Sequence, residues 1–249
     1  MKILSYLFLL VLFASCKKDS PIPDANSTKN TIIYTDSVSF VVNGRKYSFE
    51  PRHMVGMGNR QFNLKPYPTP IEGRRVARRS EFYWYGAADS ILYSAHYNFE
   101  TWPELSEVNF LFTKKYRSDQ LKKDVFLVPD DNSELLKVGK QTFAVDLEQE
   151  ATLDGIAIEA RLSGIEHSLT SYIPNYYFWL PVILKKNIQD NSIFEITKVQ
   201  KLDNDKYLVE ATFELNLFDK DSKAYRLEKG FLRLVTDMKV WSLQQIGSH

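Results

Sequence analysis

The hydrophobic pattern changes character twice along the chain. Residues 1–15, MKILSYLFLLVLFAS, hold an unbroken apolar run from Leu7 to Phe13 behind one positive charge, Lys2. Residues 17–30, KKDSPIPDANSTKN, are polar, carry Pro21 and Pro23, and show no apolar periodicity. From Ser37 onward apolar residues recur at every second position, the period of strands whose successive side chains point to opposite faces. The clearest unit is SVSFVV and RKYSFE around Asn43-Gly44. Asn-Gly suits a two-residue turn of type I′, which needs positive φ at both positions. That turn pairs Val42 with Arg45, Phe40 with Tyr47 and Val38 with Phe49. One face then carries Val38, Phe40, Tyr47 and Phe49, the other Ser37, Ser39, Ser48 and Glu50, so turn chemistry and alternation agree on one register.

The same reading predicts two strands around Gly86–Asp89 within residues 81–97, and a strand over 108–116 with Val108, Phe110 and Phe112 on one face. It predicts another where Ile156, Ile158, Ala160 and Leu162 alternate with Glu159 and Arg161. The apolar stretch Tyr176–Leu184 contains Pro181 and reads as an edge strand or one that ends there. Residues 193–200 and 206–218 flank the turn Leu202–Asp205 and form a second hairpin, with Tyr207, Val209, Ala211, Phe213, Leu215 and Leu217 along one face. A last strand runs from about Tyr225 to Thr236, with Gly230 as an expected bulge. Residues 51–80, with Gly56, Gly58, Pro66, Pro68 and Pro70, read as a long loop. Ser118 is placed to cap a short helix through Lys123. The fold class is mainly β: an antiparallel β-sandwich or partly closed barrel with few short helices.

Composition supports strands, since aromatic residues reach 14% of the 249 and flat rings pack well on pleated surfaces. The formal net charge is +1, and loss of Lys2 with the first fifteen residues leaves 31 basic against 31 acidic residues. Nucleic-acid binding calls for a basic excess to neutralise phosphates, so no nucleic-acid partner is expected. Cys16 is the single cysteine. It rules out a disulfide within the chain and a cysteine zinc site, and its position directly behind the leader points to a covalent role of its own.

The leader fits a signal peptide. Its apolar run falls short of the roughly 20 residues of a membrane-spanning helix. Ala14-Ser15-Cys16 resembles the last three positions of a bacterial lipobox, with Phe13 where Leu is commonest. The resemblance implies that the Cys16 thiol takes a diacylglyceryl group, that cleavage falls before it, and that the new amine is acylated. Several acyl chains make a stable anchor where one is marginal. The expected organisation is a lipoprotein signal peptide at 1–15, a flexible tether at 16–36 and a β-rich globular domain at 37–249. The Ser15-Cys16-Lys17-Lys18-Asp19 junction is similar to lipoproteins of the Bacteroidota, which implies an outer-membrane location and leaves the periplasmic and surface faces both open. Many lipoproteins of that group open with a Val-Asn-Gly-Lys hairpin and close with a Gly-x-Phe strand. Val41–Tyr47 and Gly230–Leu234 resemble those two pieces. Ala211 stands before Thr212-Phe213 where the pattern has Gly.

Candidate chemistry is sparse. His53, His96, His167 and His249 lack the spacing of a metal helix, and no Gly-x-Ser-x-Gly elbow is present. No metal and no cofactor is expected. Gly56-Met57-Gly58 lacks the strand–helix context of a phosphate cradle. Glu100, Glu104 and Glu107 lie near Trp102, the composition of a sugar site and equally of a solvated loop with one ring. Arg74, Arg75, Arg78 and Arg79 form a basic run able to grip an anionic headgroup or glycan bidentately. Phe82, Tyr83, Trp84 and Tyr85 are contiguous, so alternate rings face opposite sides of a strand, and Tyr172, Tyr176, Tyr177, Phe178 and Trp179 make a second cluster. Trp84, Trp102 and the four arginines are the candidate ligand contacts, Cys16 is the candidate lipidation site, and no catalytic residue is nominated. Three functions are expected to compete: a non-catalytic envelope domain that binds a glycan, peptide or partner protein; a lipid-anchored hydrolase of carbohydrate; and a structural subunit of an outer-membrane assembly. A row of exposed rings favours the first, convergent carboxylates in a cleft the second, and a broad apolar patch the third.

Overall fold

The computed structural model describes residues 33–50, 56–66, 83–123, 127–147, 154–173, 187–203 and 205–240, with 56–63 and 83–85 described by their backbone. In chain order the strands are β1 (Ser37–Val42), β2 (Arg45–Phe49), β3 (Gly56–Lys65), β4 (Tyr83–Tyr85), β5 (Ser90–Thr101), β6 (Ser106–Arg117), β7 (Lys122–Lys123), β8 (Leu127–Val128), β9 (Gly139–Lys140), β10 (Gly155–Arg161), β11 (Leu169–Thr170), β12 (Ile193–Lys201), β13 (Tyr207–Phe218) and β14 (Ala224–Thr236).

Hydrogen bonding arranges twelve of them in two layers, while β7 and β8 pair with each other separately. The first runs β2-β1-β14-β13, with β12 on the next edge of β13 and β9 beyond it. The second runs β4-β3-β5-β6-β10-β11. The layers join at one corner, where Thr170 of β11 pairs with Phe218 at the end of β13. All pairs are antiparallel except the short β3–β4 contact. This is an antiparallel β-sandwich without barrel closure. Between the layers Phe194 and Phe213 stack at 5.4 Å and 18°. Phe110 meets Phe213 edge-on at 5.5 Å, and Phe112 meets Phe194 at 5.8 Å. Fully burying each such ring contributes about 2–3 kcal/mol, which is the structural use of the aromatic-rich composition.

The opening hairpin has the expected register, Val42 against Arg45, Phe40 against Tyr47 and Val38 against Phe49. Asn43 and Gly44 take φ of 52° and 74°, and Val38, Phe40, Tyr47 and Phe49 are buried. The second hairpin and the closing strand also form as read.

Two expectations are corrected. Part of the long loop over 51–80 is strand β3, in which nine residues from Gly56 to Leu64 pair with β5. Continuous backbone pairing to a long neighbour overrides the weak strand preference of Gly and Asn. The helix after Ser118 is only a 3-10 turn, Ser118–Gln120. The Ser118 hydroxyl donates to the Asp89 carbonyl at 2.9 Å instead of capping the turn, and Lys122 starts β7. The expected bulge in β14 is present, since Lys229 and Gly230 together face Phe40 of β1, and Lys229 takes φ of 53°. Gly230 itself lies under the Phe213 ring, where a Cβ atom would come within 2.3 Å of Cδ2.

The second layer is buried on part of its outer face too. Leu64, Leu92, Leu111, Ala144, Leu147, Ala157 and Tyr172 form a smaller cluster there. Hence Leu92 and Leu111 break the simple alternation of β5 and β6.

Candidate functional site

Three turns meet at one end of the sandwich: Asn43-Gly44, Trp102–Leu105 between β5 and β6, and Ser163-Gly164 after β10. Turns gathered at the end of a rigid sandwich are where such folds carry recognition. Arg45 locks the three together. Its Nη1 donates to the Ser163 carbonyl at 2.9 Å, and Nη2 donates to the Ser163 hydroxyl at 2.9 Å and to the Glu104 carboxylate at 3.3 Å. The Tyr47 hydroxyl donates to the same carbonyl at 3.0 Å, and the Arg45 guanidinium lies 5.2 Å from the Tyr47 ring centre. Burial pushes the Tyr47 phenol above its ordinary value, opposed by the Arg45 charge. Gly164, at φ 84°, leaves room for the guanidinium: a Cβ there would stand 2.9 Å from Nη1. Ser163 N–H donates to the Ser106 hydroxyl at 2.9 Å, tying this loop to the base of β6.

On that base sits an exposed apolar tip. Trp102 is 66% exposed and Leu105 61%. The turn is fixed by Leu105 N–H donating to the Thr101 carbonyl at 3.1 Å and Ser106 N–H to the Thr101 hydroxyl at 3.3 Å. Leu105 holds φ of 51°, a left-handed conformation that costs a branched side chain on the order of 1 kcal/mol.

The outer face of the second layer continues from the tip as rows of polar side chains. Glu100 stands directly opposite Glu107, and Arg161 opposite Glu107 on its other side. Like charges facing across a ladder destabilise a sheet, and among the described residues neither glutamate makes an ion pair. The next row holds Asn98, Asn109 and Glu159. Glu159 is fixed by the Tyr172 hydroxyl, which donates at 2.7 Å, and by Asn109 Nδ2 at 3.4 Å. The Oδ1 atoms of Asn98 and Asn109 are buried without a hydrogen-bond partner among the described residues. Beyond Asn98 and His96 the neighbouring positions on β3 are Gly56 and Gly58, so that strand adds no side chain beside those two residues. The lone Gly-x-Gly thus lies on a strand, not in a loop.

The candidate residues are distributed unevenly. Trp102 is at the tip. Glu100 and Glu107 are on strands β5 and β6 just below it, not in a loop, and Glu104 is engaged by Arg45. Trp84 lies on β4, described by its backbone, and Arg74, Arg75, Arg78, Arg79 and Cys16 fall outside the described residues. Arg45, Ser163, Leu105 and Glu159 escaped the sequence reading. Only Arg45 carried a signal, because the Asn43-Gly44 turn places it first on β2. Among the described residues no group of three or more His, Asp or Glu is placed to hold a metal ion. No family model, curated protein or solved structure matches this chain.

Proposed function

We propose that the protein is a lipid-anchored domain of the bacterial outer membrane that binds a glycan at the Trp102 tip. The observation that carries the binding reading is the exposed Trp102 ring, held on a fixed turn one residue pair beyond the opposed Glu100 and Glu107. A sugar offers an apolar C–H face and a rim of hydroxyl donors. An indole takes the first, and fixed carboxylate and amide oxygens take the second. Glu104 and Glu159 are each already held by a donor from the fold, which suits pre-set acceptors more than a shuttling acid and base, so binding is favoured over hydrolysis. The location rests on the leader and on Ala14-Ser15-Cys16, with the polar tether 16–36 linking membrane and domain.

Two experiments test this reading. Cells fed a clickable fatty acid should label the wild-type chain and leave Cys16→Ser unlabelled; equal labelling removes the anchor. The purified protein on an array of neutral and acidic glycans should bind a defined subset, with Glu107→Gln weakening it. Release of reducing ends from the bound glycan would instead move the reading to a hydrolase.

A further inference from the structure

The chain enters the sandwich at a pinned point. A carboxyl oxygen of Asp36 accepts Val235 N–H at 2.6 Å. The Tyr34 ring centre lies 5.7 Å from Lys198 Nζ and 5.8 Å from the Arg233 guanidinium, contacts in which an aromatic face attracts a cation. Arg233 is held in turn by Glu210 at 2.7 Å. Tyr34–Asp36 are therefore fastened to β12 and β14 before β1 begins. β1 then runs from Ser37 to Val42, about 17 Å at the rise of an antiparallel strand, and ends at the Asn43-Gly44 turn. That turn shares its end of the sandwich with Trp102, since Arg45 bridges to Glu104. Entry point and tip thus lie at opposite ends.

A pull between these two points runs along the strands. At the entry it draws on Ser37, the first residue of β1, and at the tip on Thr101, the last residue of β5. β1 is flanked by β14 and β2, and β5 by β3 and β6, so each is held on both edges. Inter-strand hydrogen bonds lie perpendicular to antiparallel strands. Force along a strand therefore loads the bonds of both its ladders side by side. Buried side chains resist the same slip. Val38, Phe40 and Val42 on β1 and Tyr93, Tyr97 and Phe99 on β5 sit in the core, and sliding carries each out of its close-packed site. A pull between the entry and the end of β14 acts differently. Ser37 faces Arg233, and β14 ends at Thr236 on that same end. Force then crosses the strands and opens the β1–β14 ladder one pair after another.

We propose that the domain is a load-bearing link, carrying tension between its membrane anchor and a glycan polymer held at Trp102. This rests on the anchor and glycan readings above and adds the class of ligand: a polysaccharide fixed beyond the membrane, since a diffusing saccharide puts no tension on the tip.

Optical tweezers test the mechanics with neither ligand nor acyl chain. The full chain, unacylated and in detergent micelles, is held by DNA handles on the Cys16 thiol and on a second thiol. The second thiol is placed by Trp102→Cys or by Lys239→Cys, both at exposed positions. At one loading rate the pull from Cys16 to 102 should need at least about twofold more force than the pull from Cys16 to 239, because forced unfolding follows the unfolding rate and shear has the higher barrier. Leu105→Cys, a second handle on the same turn, should give the same high force. Equal forces in the two directions, or a weaker domain when pulled by the tip, would overturn the proposal. Failure of the glycan reading shows separately, as absence of binding on the array with the force difference intact.

Discussion

The side-chain amide of Gln189 bonds to the backbone of Asn216 as a neighbouring strand would. Its Oε1 accepts Asn216 N–H at 3.0 Å and its Nε2 donates to the Asn216 carbonyl at 2.7 Å. The same Nε2 donates to the Ser171 carbonyl at 2.7 Å, and Oε1 also accepts the Ser192 hydroxyl at 2.6 Å. Gln189 is buried and sits beside the corner where β11 meets β13. One side chain thus satisfies backbone groups on both layers at the only seam between them among the described strands. Gln189→Ala leaves the buried Ser171 carbonyl and the part-buried N–H and carbonyl of Asn216 without this partner, each costing up to roughly 1–3 kcal/mol. The expected loss is about 3 kcal/mol or more in urea unfolding, and Gln189→Glu, which removes both donors, should be no better.

Gly230 and Phe213 make a second test of the seam's neighbour strands. A methyl group at Gly230 would lie within 2.5 Å of the Phe213 ring and carbonyl. Gly230→Ala should cost about 1–3 kcal/mol by overpacking. Phe213→Leu in the same chain should recover part of that loss, so that the two changes are non-additive in a thermal double-mutant cycle.

Leu105→Gly separates fold from function at the tip. Glycine accepts the φ of 51° without penalty, and the lost side chain is exposed, so stability should hold or rise by up to about 1 kcal/mol. Ligand binding should fall, because the apolar contact is gone. A stability loss together with unchanged binding would show that the leucine serves packing.

Stability should depend on pH at both ends. Burial pushes Tyr97 and Tyr116 up to about 12 and raises Tyr93 as well. Unfolded tyrosine loses its proton near pH 10, so from there to about 12 the folded state holds more protons than the unfolded one and stability falls as pH rises. Tyrosinate absorbance should therefore appear in step with unfolding. On the acid side two aspartates oppose each other. Burial works against ionisation of Asp219, yet N–H groups of Lys223 and Asp221 and the Tyr225 hydroxyl outweigh it and hold the carboxyl low. Its contribution is complete above the ordinary Asp value and is lost as pH falls through the folded one. Asp36 is raised by burial despite accepting Val235 N–H at 2.6 Å, so its ionised form is disfavoured on folding. Asp36→Asn should leave stability at neutral pH equal or higher, while Asp219→Asn should lower it.

Strand positions were legible wherever alternation and turn chemistry coincided, as at Val38–Phe49 and Tyr207–Leu217. They were illegible where a strand drew its stability from its neighbour. β3 contains Gly56, Gly58, Asn59 and Asn63, poor strand residues held by β5. The site was less legible still. Trp102 and the glutamates near it were visible as residues, but nothing local says that Glu100 faces Glu107 while Glu104 turns to Arg45. Arg45 and Ser163 are 118 residues apart, and only the packed sandwich brings them together.

The central claim is most directly tested by isothermal titration of the wild-type protein and Trp102→Ala with the strongest glycan from the array. Trp102 is an exposed turn residue, so the variant should match wild type in thermal stability and lose at least about 1.4 kcal/mol of binding, a tenfold weaker affinity. A variant that binds as tightly as wild type, or a wild-type protein that binds no glycan, would contradict the assignment of the tip.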